Sequence, residues 1–237
     1  MSAKLERRAE VEGNLAVVRD RIADACKAVG RSPDEVTLTV VTKFFPESDV
    51  RLLAELGIRD VGENRHQEAE EKAAASADLG LRWHFVGSLQ SNKAAAVAAY
   101  ADVVESVDRP KLLKGLSRGA NQRDALVDCL VQVNLDPPGD GRGRGGAAPD
   151  DVVPLAEAVA LADGLRLRGV MAVAPLDVDP APAFARLADL AAEVRTISPD
   201  ATWISAGMSA DLEAAITAGA THVRIGSAVL GPRPSLR

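Results

Sequence analysis

A single (β/α)8 TIM barrel with an extra N-terminal helix is the fold the sequence predicts, and three observations carry it. Eight short apolar runs recur along the chain, each followed by a helix-like segment rich in alanine. The alternation continues to the C-terminus without a composition shift, so residues 1–237 read as one domain. The ends of the runs are polar and glycine-rich while their bodies are apolar, which is the polarity a barrel mouth requires. An open doubly wound sheet is the alternative, but at this length it usually has fewer strands.

The opening helix is expected over roughly Leu5 to Val29, with Leu15, Val18, Ile22, Cys26 and Val29 at helical spacing and Gly30 as its stop. The strand runs follow in order: VTLTVVTK, IRDVGEN, WHFVGS, DVVESVD, DCLVQVNLD, LRLRGVMAVAP, TWISAG and HVRIGSA. Between them lie amphipathic helices such as SDVRLLAELG and PAFARLADLAAEVRTI; in the latter Pro182 sits near the start, where a missing N–H costs little. The segment Asp136 to Gly146, DPPGDGRGRGG, lacks the GK[ST] of a phosphate-cradling loop and is expected to be a flexible connection after strand five.

The composition narrows the function classes. Hydrophobic residues make up 47% of the chain but aromatics only 3%, so a large core is built from small aliphatic side chains. A net charge of −6 with no basic cluster argues against a nucleic-acid partner. No apolar h-region opens the chain and no apolar run approaches a membrane span, so a cytoplasmic protein is expected. Cys26 and Cys129 form neither a CxxC pair nor a metal cluster with the histidines and are expected to be buried reduced thiols; no metal site is expected.

Chemistry is sought at the strand ends. Lys43 closes strand one, where it either reaches into water or stands in a desolvated pocket. Asn64 ends strand two, Gly87 and Ser88 strand three, and Asn134 and Asp136 lie near the end of strand five. The loops after strands seven and eight, ISAGMSAD and RIGSAVLG, are where such barrels often bind phosphate. Ser205, Gly207, Met208 and Ser209 with Gly226 and Ser227 can form a phosphate cup. Ser209 could instead only cap the next helix. Period two puts Arg224 on the inner face of strand eight, beside Lys43 if Thr39, Val41 and Lys43 also face inward. There Arg224 needs either a ligand or an acid such as Glu63 or Glu105. A desolvated lysine near a cation can form a Schiff base, and with a phosphate cup it suggests pyridoxal 5′-phosphate (PLP). Phe44 and Phe45 would keep the lysine's surroundings dry.

The segments VVTKFFPES, VGENRHQEAEEK, WHFVGSLQSNK, RGVMAVAP and ISAGMSADLEAAITAGATHVRIGSAVLG, in that order, resemble the pyridoxal phosphate homeostasis protein family. That family is made of single-domain relatives of the alanine racemase N-terminal barrel. The resemblance implies that Lys43 carries PLP as a Schiff base and that Ser205, Met208, Ser209, Gly226 and Ser227 hold its phosphate. It further implies that Arg224 faces the pyridine nitrogen and that Asn64 lies beside the ring. It implies a role in vitamin B6 homeostasis without strong catalysis, with apo PLP-dependent enzymes as acceptors, and a monomer is expected. Phe44 and Phe45 depart from the threonine and second lysine frequent in the family, Ser227 from a frequent threonine and Ala206 from a frequent methionine. The competing readings are a PLP-dependent racemase or decarboxylase, and a cofactor-free barrel enzyme on a small phosphorylated substrate. A racemase needs a second acid/base group, and the only tyrosine, Tyr100, is expected at the far end of the barrel; His66 or His84 would have to replace it.

Overall fold

Strands whose side chains alternate between two apolar environments can close on themselves only if helices cover the outer face. The computed structural model, which describes residues 2–136 and 145–232, shows that arrangement. Eight parallel strands close into a barrel in sequence order: β1 (Thr37–Val41), β2 (Asp60–Glu63), β3 (Arg82–Phe85), β4 (Val103–Val107), β5 (Val127–Val133), β6 (Leu165–Ala172), β7 (Trp203–Ser205) and β8 (His222–Ile225). Barrel closure pairs β1 with β8, Thr39 lying opposite Arg224. The outer layer holds α1 (Ser2–Ala28), α2 (Glu47–Glu55), α3 (His66–Ala75), α4 (Ala94–Ala98), α5 (Leu113–Gln122), α6 (Pro149–Ala160), α7 (Ala181–Ile197), α8 (Leu212–Thr217) and α9 (Ser227–Leu230). The expected barrel and its extra helix are both present. Within the segment expected to be flexible, residues 137–144 lie outside the described residues.

The core sits mainly between the barrel and its helices. Val40, Val61, Val223 and Ile225 turn outward to meet Val18, Leu53 and Ile216, while Val104, Cys129, Val131 and Val170 turn outward against Leu116, Leu155 and Leu187. Both cysteines are buried free thiols, and burial raises each above the usual thiol range. The buried face of α1 runs through Val11, Leu15, Val18, Ile22 and Cys26; Val29, placed on that face by spacing alone, lies beyond the helix end and is 38% exposed. No helix among the described residues is long and apolar enough to cross a membrane.

Inside the barrel the apolar filling is small: Val103, Leu130 and Met171, with Trp203 packed against them. Toward the N-terminal end the interior is closed by ions and rings. The guanidinium groups of Arg82 and Arg168 lie 4.7 and 4.5 Å from the Trp203 ring centre, and Arg166 donates to Asp128. The C-terminal end stays open.

Close backbone contact shapes that open end. A Cβ at Gly87, just after β3, would fall 2.2 Å from the Asn64 carbonyl oxygen and 2.7 Å from its Cα. Only hydrogen fits between these two loops, so Gly87 fixes where Asn64 stands. Gly87→Ala is expected to destabilise the fold by about 1–3 kcal/mol, the range for overpacking. Denaturant unfolding with an unchanged midpoint would show that the loops are free to part.

Candidate active site at the barrel mouth

A cavity of about 410 Å³ opens at the C-terminal ends of the strands. Lys43, Asn64, Met208, Ser209, Arg224, Gly226 and Ser227 all line it. Strand ends explain the convergence. Val41 at the end of β1 faces the cavity, and Lys43, in the turn that follows, lines it too. Arg224 shares its inward face with His222, whereas Val223 and Ile225 lie in the outer core.

Ser205 is the exception among the predicted residues. It is fully buried and does not line the cavity. Its hydroxyl donates to Glu105 Oε2 at 2.6 Å and accepts from Arg224 Nη1 at 2.6 Å, so it sits beneath the site and holds the arginine. Phe45 lines the cavity as expected, but Phe44 does not; its ring lies under the Arg65 guanidinium, 5.4 Å away. Ser209 is not a helix cap either. Asp211 precedes α8, and its Oδ1 accepts from the Met208 N–H at 2.6 Å, which commits a donor that the phosphate cup was expected to use.

Arg224 is buried, and burial lowers its guanidinium from the ordinary value while the Glu105 charge opposes that shift. Nη2 donates to the Ala172 carbonyl at 2.8 Å, and Nη1 stands 3.7 Å from Glu105 Oε2. The acid the arginine needs is therefore Glu105. Glu63 faces the other way, to Lys72 of α3. Behind Glu105 the ring nitrogens of His84 reach Glu105 Oε1 at 2.7 Å and Asp60 Oδ1 at 2.9 Å. Burial pulls the His84 pKa down, but bonds to two carboxylates outweigh it and leave it raised, so the ring is an imidazolium donating from both nitrogens. Burial pushes the Glu105 carboxyl up; bonds from His84 and Ser205 and the charges of His84 and Arg224 win and hold it at about 2. His84 is thus a satisfied interior histidine that does not reach the cavity.

The loops after β7 and β8 are tied down from outside by α1. Arg21 donates to the Ser209 carbonyl, Asn14 to Val229 and Arg7 to Leu230, each at 3.0 Å. These bonds make the extra helix a brace for the anion side of the cavity. The Gly226 and Ser227 backbone approaches β1, where a Cβ on Gly226 would stand 3.4 Å from the Val41 carbonyl.

Gln132, Val86, Met171 and Val173 also line the cavity and went unpredicted. Gln132 had a signal: it is the polar residue in an otherwise apolar stretch of DCLVQV, four residues from Asp128 and so on the same inner face. Tyr100 lies outside the cavity, in the helix layer, its ring stacked on His66 with centroids 5.9 Å apart. Among the described residues no group of side chains could hold a metal ion. The donor set instead suits a ligand with an anionic group at the serine loops and a carbonyl within reach of Lys43.

The interior ions make stability depend on pH. Glu105 has a depressed pKa in the fold, so its contribution is present above the unfolded carboxyl value and fades as pH falls from about 4.3 toward its folded value of about 2. Glu105→Gln is expected to cost roughly 3–5 kcal/mol at neutral pH, because Arg224 and His84 lose their shared anion. That gap should narrow below about pH 4. Urea unfolding of both proteins from pH 7 to pH 2.5 measures it, and a gap that stays constant would place no charge on Glu105.

The chain matches the family described as alanine racemase, N-terminal domain, over residues 17–234. It is 44% identical to a Pseudomonas aeruginosa protein named pyridoxal phosphate homeostasis protein, with 93% of this chain and 94% of that protein covered. It is 41% identical to a Mycobacterium tuberculosis protein of the same name, covering 98% and 96%. Among solved structures it is similar to PipY of Synechococcus elongatus with PLP bound, at a TM-score of 0.80 and 32% identity, with 93% of this chain and 100% of that one covered. On these matches over nearly its full length, the chain belongs to the alanine racemase N-terminal domain family, among the pyridoxal phosphate homeostasis proteins.

Proposed function

We propose that this protein binds PLP in the mouth cavity, as a Schiff base on Lys43, and keeps the cofactor available for the cell's PLP-dependent enzymes. The observation that carries this reading is the convergence of Lys43, Arg224, Ser209, Gly226 and Ser227 on one cavity at the strand ends. The PLP-bound relative PipY, with its TM-score of 0.80, supports the choice of ligand. On this reading residues 1–237 form one PLP-binding domain, active as a monomer in the cytoplasm, with apo enzymes as acceptors.

PLP supplies, when bound, an aldehyde that an amine can capture and a ring that withdraws electrons. The chain's residues supply the rest. Ser209, Ser227 and the Gly226 backbone offer donors to the phosphate. Arg224 would present a fixed cation to the ring nitrogen; a guanidinium does not give up its proton, so the nitrogen would stay unprotonated and the ring would be a weaker electron sink. Phe45, Val41 and Val86 exclude water on the apolar side. Asn64, which lines the cavity, would lie beside the ring.

The same lining argues for a holder over a racemase. Racemisation needs acid/base groups on both faces of the substrate α-carbon. Lys43 offers one. Tyr100, His66 and His84 all lie outside the cavity lining. The loaded protein is therefore expected to produce D-alanine from L-alanine in deuterated water far below about 1 per second, the lower end of ordinary enzyme turnover. Chiral chromatography showing faster racemisation would make it an enzyme.

Two measurements test the binding. Borohydride on the PLP-loaded protein should fix a pyridoxyl group on Lys43, read by peptide mapping; a label on Lys93 or Lys111 would defeat the assignment. Ser209→Ala with Ser227→Ala should weaken PLP binding about tenfold to a hundredfold, the equivalent of losing a charge-assisted hydrogen bond. Equal affinity by absorbance titration would move the phosphate elsewhere.

A further inference from the structure

Lys43 stands in a turn that L-residues with large side chains rarely make. The Thr42 carbonyl accepts from the Phe45 N–H at 3.1 Å, which closes a four-residue turn with Lys43 and Phe44 at its centre. Phe44 has φ +70°. Glycine is the residue that normally fills such a position, and a bulky side chain there costs about 1–2 kcal/mol. Something must hold this turn closed.

The holding groups come from α3 and the residue that precedes it. Lys72 Nζ donates to the Thr42 carbonyl at 2.8 Å, to Glu63 Oε1 at 2.7 Å and to Glu68 Oε1 at 2.7 Å. Glu68 Oε1 also accepts from the Phe44 N–H at 2.7 Å, and the Thr42 hydroxyl donates to Glu63 Oε1 at 2.7 Å. Arg65 covers the Phe44 ring. Arg65, Glu68 and Lys72 follow one another at spacings of three and four, so they share a helix face turned toward the turn. The Lys72 side chain is only 8% exposed, and Glu63 1%. A buried cation bridging two carboxylates and a carbonyl is costly unless every contact is made, and these contacts fall on both residues that flank Lys43.

We propose that Lys72 and Glu68 are positioning residues for Lys43. They lock the strained turn that carries it and so fix where its amine enters the cavity. Neither lines the cavity. The consequence for PLP rests on the reading of Lys43 as the binding lysine; the consequence for the turn does not.

The test uses the full chain with Glu68→Ala, Lys72→Arg, and Glu68→Ala combined with Phe44→Gly. Glu68 is partly exposed, so its variant is expected to fold; Lys72→Arg keeps the buried charge but replaces a compact ammonium by a planar fork. Two quantities are read: PLP affinity by absorbance titration, and hydrogen exchange of the residue-44 amide without PLP. In Glu68→Ala the amide should exchange faster and PLP should bind about tenfold more weakly, as expected for one charge-assisted hydrogen bond. Lys72→Arg should weaken PLP in the same direction. Adding Phe44→Gly should return affinity to within about twofold, because glycine takes the positive φ without strain. A general loss of packing would not be repaired at that one position. Unchanged residue-44 exchange in Glu68→Ala overturns the proposal, as does a double variant that stays weak. If the parent is not labelled on Lys43 by borohydride, the PLP reading fails, and residue-44 exchange alone decides the clamp.

Discussion

An arginine buried at the centre of a barrel cannot be neutralised, and much of the interior follows from that. Arg224 is 5% exposed and holds its charge. Taking such an ion out of water costs several kcal/mol unless partners surround it. Ser205, Ala172 and Glu105 supply them. Glu105 then needs a partner of its own, which is His84; a doubly bonded imidazolium needs a second anion, which is Asp60. The requirement passes from strand to strand. A column of paired charges runs from the mouth to the N-terminal floor, and only a few apolar side chains remain inside. The column also fixes Arg224 from below, so the guanidinium meets the cavity in one orientation.

The outer layer solves a different problem. The loops after β7 and β8 line one side of the cavity and are also held from outside the barrel. α1 supplies that fastening through Arg7, Asn14 and Arg21, whose targets are carbonyl oxygens of those loops and of α9. Their carbonyls are bound from the α1 side, while Ser209 and Ser227 line the cavity. An N-terminal helix that looks like an addition to a complete barrel is therefore part of the site's support.

The barrel was legible because period-two strands and polar strand ends are local signals. Lys43, Asn64, Arg224 and the two serine loops were legible for the same reason, since each ends a strand and the barrel brings strand ends together. What escaped depends on contacts between distant segments. Ser205 looks like a ligand-binding serine until Glu105, a hundred residues away, claims its hydroxyl. Met208 looks like a free N–H until Asp211 turns back onto it. Phe44 reads as a second wall of the pocket by its chemistry alone, and only its left-handed backbone turns the ring out toward Arg65. No sequence period reports a sign of φ at a non-glycine residue.

Two lysines show how little residue type decides. Lys43 and Lys72 are both adjacent to the wall between β1 and α3, and both are largely removed from solvent. Lys72 points from a helix into two carboxylates and a carbonyl, an arrangement that holds its side chain in place. Lys43 lies in a turn and lines a cavity that it shares with Val41, Phe45, Asn64, the serine loops and a buried arginine. Lys43 thus shares its cavity with a buried arginine and apolar side chains, whereas Lys72 is enclosed by its three oxygen partners. The strained turn separates the two environments by a few ångströms of backbone. The cost of holding Phe44 at positive φ is offset by Glu68 and Lys72, and the result is a lysine presented to the cavity by residues that never enter it.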